Sequence, residues 1–353
     1  MQNQKKRITL GQFLPSRVRE ALSRSPTWRQ WRNRLAGRAW QCTALRGESI
    51  YNICINCDMT VSCNCRDYDG TGHIGDLRKQ SLKEIFSGST ARRFRETLAA
   101  GRFPTRQCTQ CWELRSAPRA TAAAEVEQFH PPASGIMVEN TVRCNLRCIG
   151  CAREEVTGTR TQMRMSLEDM EEVARNVQDC GIETVAFHNL GEPFLSPNIH
   201  QELSLLRKYS PKLRLVCSTN GIALNTDDKR EAALLLNILY MSLDGPSQEI
   251  AERYQQGVDF DAACRNLEAL VRFRDARGLT APLIEWKYVV FAWNDQPEHI
   301  EAAVARAREI GADLISFWSG GGERAMISRN FPQSAYFQNL GNPSWKGREV
   351  ILR

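Results

Sequence analysis

Cys144-Asn145-Leu146-Arg147-Cys148-Ile149-Gly150-Cys151 follows directly on an apolar run. Three thiols at CxxxCxxC spacing form a loop that can hold three irons of a [4Fe–4S] cluster, whose usual protein ligands are cysteine thiolates. A fourth cysteine would close the cluster. Three leave one iron open to a small molecule, which a cluster needs if it is to do chemistry and not only carry electrons. Zinc is the nearest rival, yet it usually takes four ligands arranged as separate pairs. A disulfide would leave one cysteine unpaired.

Outward from this loop the chain alternates strand and helix. Strands are expected near 135–140, 183–189, 212–219, 237–243, 283–292 and 313–318, with helices between them, for instance 166–178 and 298–310. Ser166 followed by Glu168 and Asp169 reads as a helix start with acids in its first turn. Six such βα units predict a parallel sheet covered by helices.

Each strand ends in polar and glycine residues. After the cysteine loop come Asn189-Leu190-Gly191-Glu192-Pro193, Ser218-Thr219-Asn220-Gly221, Ser242-Leu243-Asp244-Gly245, Trp293-Asn294-Asp295 and Ser319-Gly320-Gly321-Gly322. Barrel enzymes carry their reactive groups at these strand ends, although tight structural loops give a similar pattern.

Composition sets bounds on the rest. The 353 residues are 42% apolar and 25% charged, as in a globular protein, with room for one large domain or two ordinary ones. No apolar run is long enough to span a membrane, and the N-terminus lacks the apolar core of a secretory signal. Thirteen cysteines without an export signal point to reduced thiols and metal binding in the cytoplasm. Residues 1–40 hold ten Lys or Arg and a single acid, Glu20, so the net +7 is an N-terminal property and gives no support for nucleic-acid binding by the whole chain. Trp28, Trp31 and Leu35 fall on one face of a basic helix. That face suits packing on the protein itself, with peripheral contact to a membrane or acidic surface through residues 1–40 as the alternative.

The cysteine loop resembles the signature of the radical S-adenosylmethionine (SAM) superfamily, Asn145-Leu146 included. The resemblance implies a partial (β/α)6 TIM-type barrel over 135–325. It also implies SAM chelated to the open iron by its amino and carboxylate groups, and one-electron cleavage to methionine and a 5′-deoxyadenosyl radical. One departure stands out: the residue before the last cysteine, often aromatic and in contact with adenine, is Gly150 here. Gly191-Glu192-Pro193 resembles the motif that holds the SAM amino group. Ser218 and Asn220 resemble the polar residues reaching its carboxylate or ribose, and Asp244 matches a position that meets ribose or substrate. An ordinary turn or helix cap is the plain alternative for each.

Residues 42–111 contain Cys42, Cys54, Cys57, Cys63, Cys65, Cys108 and Cys111, with two strands expected near 49–57 and 59–65, a turn at Asp58 and a helix from Ser81. Val61-Ser62-Cys63-Asn64-Cys65-Arg66-Asp67, Gly75-Asp76-Leu77, Ser81-Leu82-Lys83-Glu84-Ile85 and the closing Cys108-Thr109-Gln110-Cys111 resemble the SPASM or shorter twitch domain, which carries an auxiliary [4Fe–4S] cluster. That small α+β domain normally follows the barrel; here, over 42–120, it precedes it. The resemblance makes Cys108 and Cys111 ligands, with a third from Cys63 or Cys65 and Cys42 in the leading position. A zinc ribbon is the structural alternative. Cys54 and Cys57 point to opposite faces of a strand, so at most one faces a given cluster; both also read as small buried apolar residues. The scheme is completed by a basic helical segment (1–41), a linker (121–134) and a C-terminal tail (326–353).

Cys180, Cys217 and Cys264 lie outside both sets. Cys217, beside Ser218 at a strand end, could return hydrogen to a substrate radical; the other two read as packing. His188 is the best-placed titratable group, since an ordinary imidazole titrates near neutrality. Lys287 and Lys79 could act as bases, although solvated lysines are the plainer account. The stretch 286–295 looks like that of carbohydrate- or natural-product-tailoring members. The expected function is therefore a radical SAM enzyme, oxidoreductase or epimerase, abstracting hydrogen from a sugar-containing metabolite with a flavodoxin- or ferredoxin-type reductant. A ribosomal peptide substrate and a non-enzymatic metal-binding module are the alternatives.

Overall fold

The computed structural model describes residues 25–321, 325–344 and 347–353. The expected N-terminal basic segment therefore lies outside the described residues up to position 24, as does Gly322 of the last strand-end motif.

The architecture is α/β, and an 11-stranded sheet organises it. Six parallel strands form the partial barrel: β6 (Ile136–Val138), β7 (Thr184–Ala186), β8 (Arg214–Thr219), β9 (Ile238–Ser242), β10 (Leu283–Val290) and β11 (Leu314–Ser319). Helices cover one face. Leu167–Asp179 starts where the sequence predicts, on a capping box in which Ser166 Oγ accepts from Asp169 N (3.0 Å) and the Asp169 carboxylate accepts from Ser166 N (3.2 Å). Ser81 and Glu84 form the same device at the start of Leu82–Ser87. Pro at the first helical position starts Pro297–Ile310, and Gly311 in the left-handed conformation ends it.

Alternation along the strands divides the sheet chemically. Leu215, Cys217, Leu239, Met241, Trp286, Tyr288, Ile315 and Phe317 join the buried apolar core. The opposite parity carries Ser218, Tyr240, Ser242, Glu285, Lys287, Ser316 and Trp318. Residues two apart share a face, so this polar set faces the barrel interior.

The cysteine-rich N-terminal part is not a separate unit. It has a small sheet of its own, in which β1 (Arg38–Cys42) pairs antiparallel with β5 (Leu114–Pro118). However, β2 (Cys54–Ile55) pairs in parallel with β6, setting Cys54 opposite Met137. Two further antiparallel strands, β3 (Thr60–Ser62) and β4 (His73–Asp76), continue the sheet outward. At the other edge the expected tail forms a hairpin, β12 (Asn342–Ser344) and β13 (Gly347–Ile351), with β13 antiparallel to β11. The expected linker region carries the helix Arg119–Ala124, entered directly from β5.

Helix Pro26–Leu35 docks differently from the expected apolar face. Arg29 donates to the Thr109 carbonyl (2.6 Å) and lies over Trp40, and Asn33 is buried, donating to the Ala39 carbonyl. Trp31 and Leu35 stay 50% and 67% exposed. Among the described residues no helix is long and apolar enough to cross a membrane.

Candidate functional site

The cysteine loop leaves the C-terminal end of β6 and is fastened from three sides. Leu146 is buried beneath it. Arg147 N and Ile149 N donate to the carbonyls of Gln256 and Tyr254, both at 3.0 Å. Asn145 Oδ1 accepts from Asn220 Nδ2 at 2.9 Å. Cys144, Cys148 and Cys151 are half-buried. Burial raises all three thiol pKa values, Cys148 to about 12 with further contributions from Asp244 and the other two cysteines. Arg153 opposes the rise at Cys144 and Cys151. Metal binding at this loop must therefore release protons, and its affinity should rise with pH.

At Gly150 a Cβ would lie 3.1 Å from the Tyr254 hydroxyl. The aromatic place beside the last cysteine is thus taken by Tyr254, from a distant segment. Its ring packs on Phe291 (centroids 4.6 Å apart), which stacks on Trp293 (4.7 Å). No local sequence signal marks Tyr254, because only the fold brings residue 254 to residue 150.

The GEP turn, the end of β8 and the cysteine loop form one hydrogen-bonded body. Glu192 N donates to the Arg143 carbonyl (2.8 Å). Its buried carboxylate accepts from Thr219 Oγ1 (2.7 Å), Asn220 N (2.8 Å) and Phe194 N (3.2 Å). Burial raises its pKa and these donors oppose the rise. An ionised carboxylate has about four acceptor positions, so three protein donors leave room for about one more. Gly191 is packed so closely that a Cβ would meet the Thr141 carbonyl oxygen. Pro193 opens the short helical turn Pro193–Leu195. Ser218 and Ser242 share a hydrogen bond of 3.0 Å. Asp244 Oδ1 accepts from Val289 N (2.8 Å), and burial raises its pKa to about 6.

The structure places two expected catalytic groups, Cys217 and His188, differently. Cys217 is fully buried on the helix-facing parity of β8, with its thiol donating to the Phe187 carbonyl (3.2 Å). It does not face the barrel, because Ser218 does and neighbours on a strand point opposite ways. His188 is only part-buried overall, yet its imidazole Nδ1 is sealed off from water, beside the Val216 backbone. Burial and then Lys287 lower its pKa to about 3, so it is a neutral imidazole near pH 7 and not the group titrating near neutrality that its type suggests. Lys287 lies over the Trp318 ring at 4.3 Å. Lys79 is exposed and pairs with Asp76. Cys264 is buried core and Cys180 caps a helix end.

Cys42, Cys63, Cys108 and Cys111 line one cavity, walled by Leu45, Phe94, Leu98 and Leu114. The β1–β5 ladder, which sets Cys42 opposite Leu114, brings the first and last of them together. Nearby, Glu113 accepts from Ser49 Oγ (3.0 Å) and Asn52 Nδ2 (2.8 Å). Cys63 lines the cavity, whereas Cys65 is absent from its lining and donates to Asn52 Oδ1 (3.5 Å). Cys57 donates to the Gln162 carbonyl (3.1 Å), and Cys54 accepts from Asn189 Nδ2 (3.5 Å); neither reaches the cavity. Four thiols around an apolar-walled cavity, and three on a loop with one position open, fit iron–sulfur clusters.

Comparison with known proteins gives two family matches, the radical SAM superfamily over residues 138–277 and an iron–sulfur cluster-binding domain, SPASM, over residues 42–112. Proteins of these two kinds hold [4Fe–4S] clusters and use SAM. The chain is similar to the GTP 3′,8-cyclase of Streptomyces coelicolor, with 32% identity covering 37% of this chain and 38% of that protein. It is also similar to the GTP 3′,8-cyclase of Marinobacter nauticus, with 30% identity covering 54% and 55%. It thus spans between 38% and 55% of the length of these relatives. Among solved structures, anSMEcpe with bound AdoMet gives a TM-score of 0.42 at 19% identity, over 56% of each chain. Methylornithine synthase gives 0.40 at 13%, over 71% of this chain and 65% of that one.

Proposed function

We propose that this chain, a member of the radical SAM superfamily with a SPASM domain ahead of its barrel, oxidises a sugar-containing metabolite by dehydrogenation. The observation that carries the reading is the joining of the three-cysteine loop and the four-cysteine region in one sheet, through the parallel pairing of β2 with β6. Both cysteine sets thus belong to one continuous sheet-centred body, in which a substrate could be served by both.

A cluster bound at Cys144, Cys148 and Cys151 supplies, with SAM, the reductive cleavage that yields a hydrogen-abstracting radical. The residues around it have separable tasks. Glu192 keeps one acceptor position for an ammonium, a charge-assisted contact. Asn220, fixed between Glu192 and Asn145, and Ser218 present polar groups beside it. Asp244 is held for a ribose or substrate hydroxyl. Cys42, Cys63, Cys108 and Cys111 would hold an auxiliary cluster able to take the one electron that remains after hydrogen abstraction, with the hydroxyl proton passing to solvent.

Dehydrogenation is preferred to epimerisation because the interior-facing positions of β8–β11 carry no thiol. The relatives named GTP 3′,8-cyclase give no support to the sugar expectation, and a nucleotide is the second candidate substrate. Anaerobic reconstitution should load about eight irons per chain and give 5′-deoxyadenosine on reduction. Bound zinc without SAM cleavage would overturn the reading. Solvent deuterium retained at a product carbon would turn it to epimerisation.

A further inference from the structure

A second cleft of about 250 Å³ adjoins the four-cysteine cavity. Asn64 lines both, and Arg66, Tyr68, Arg106, Gln107 and Gln110 complete the cleft.

The lining has two guanidinium groups, amides and a phenol, and no carboxylate. Arginines elsewhere are commonly paired, as Arg92 is with Glu96 and Glu127, and Arg274 with Asp313. Among the described residues, no salt bridge engages Arg66 or Arg106. Arg66 instead lies over the ring of Trp112, 5.4 Å from its centroid, and Trp112 is itself 58% exposed. Stacking on an aromatic face steadies a guanidinium while leaving its N–H edge free for an anion, and the planar fork matches phosphate oxygens two at a time.

We propose that the substrate bears a phosphate or diphosphate group, and that Arg66 and Arg106 hold this group in the cleft beside the four-cysteine cavity. The inference rests on the reading above, in which the substrate is served by the auxiliary cysteine region. It adds a substrate class, a phosphorylated metabolite, and two specificity residues in the N-terminal domain.

The test is titration calorimetry of the reconstituted full-length protein with inorganic pyrophosphate at fixed ionic strength. Wild type should bind. Arg66→Gln and Arg106→Gln should each weaken binding at least about tenfold, the loss of one charge-assisted contact, and the double variant about a hundredfold. Both side chains are exposed, so the variants should keep the wild-type melting temperature. Arg92→Gln, on an exposed helix face, should bind within about twofold of wild type. No pyrophosphate binding by wild type, or equal binding by the double variant, overturns the inference. SAM cleavage by wild type is scored separately. Arginine-dependent binding without SAM cleavage would leave the anion site standing and remove the catalytic reading.

Discussion

Cys217 shows what strand alternation can and cannot tell from sequence. Ser218 and Cys217 are neighbours on β8, so they cannot both face the barrel, and the two expected roles exclude one another on alternation alone. Which parity faces inward is decided only by the neighbouring strands, where Ser218 lies opposite Tyr240 and Cys217 opposite Leu239. Cys217→Ala should therefore keep turnover within about twofold and cost about 1 kcal/mol of stability, the loss of a small buried group. Loss of turnover in a folded variant would put the thiol back into the chemistry. Asp244 makes a prediction that depends on pH. Its folded pKa is raised from 3.8 to about 6, so the native state holds a proton that the unfolded chain has lost between those values. Relative stability is highest below about pH 4, falls as pH rises to about 6 and is flat beyond, by linkage. Asp244→Asn should match wild type near pH 4 and be more stable by on the order of 2 kcal/mol at pH 7.5, measured by urea unfolding. A difference independent of pH would rule out this account.

At the scale of elements, the six barrel strands and the caps of their helices were legible because hydrophobic period and capping chemistry are local. The clustering of strand-end motifs was legible too, since all six parallel strands deliver their ends to one rim. The fastening of the cysteine loop was not, because its partners at Tyr254, Gln256 and Asn220 lie about 75 to 110 residues away in sequence. Two glycines test that fastening at different severity. A Cβ on Gly191 would sit inside the contact distance of a backbone oxygen, Thr141 O, so the turn carrying Glu192 must shift. Gly191→Ala should cut 5′-deoxyadenosine formation about a hundredfold, the usual consequence of misplacing a positioning group by about 1 Å. A Cβ on Gly150 meets only the end of the Tyr254 side chain, at 3.1 Å. Gly150→Ala should lose less than about tenfold, and adding Tyr254→Phe, which removes the hydroxyl in the way, should restore it. Equal losses in the two glycine variants would mean the loop is not held as described.

At the scale of the whole molecule, the reversed domain order acquires a physical reason. An open barrel has two edge strands, each a row of unpaired backbone groups and a liability for pairing with other chains. Here β2 of the SPASM region covers β6, and the β12–β13 hairpin covers β11. This continuity could not be read from the sequence, because the register between strands about 80 residues apart leaves no local trace. A buried ion pair fixes the junction. Arg160 Nε donates to Glu139 Oε1 at 2.8 Å, both side chains being almost wholly inaccessible, and the same guanidinium donates to Asn56 Oδ1 at 2.8 Å. Glu139 lies just beyond β6 and Asn56 just beyond β2, so a single arginine ties the SPASM region to the barrel. Removing one partner of a buried pair leaves an uncompensated charge and costs about 3–5 kcal/mol. Arg160→Leu should lose that much in denaturant unfolding, and Glu139→Leu in the same chain should recover part of it, since no buried charge is then stranded. If the N-terminal region were an independent domain on a linker, Arg160→Leu would leave its unfolding midpoint and its iron content unchanged. Joined by one sheet, both regions should instead unfold together at a lower denaturant concentration, with iron lost from the four-cysteine cavity and the cysteine loop in the same transition.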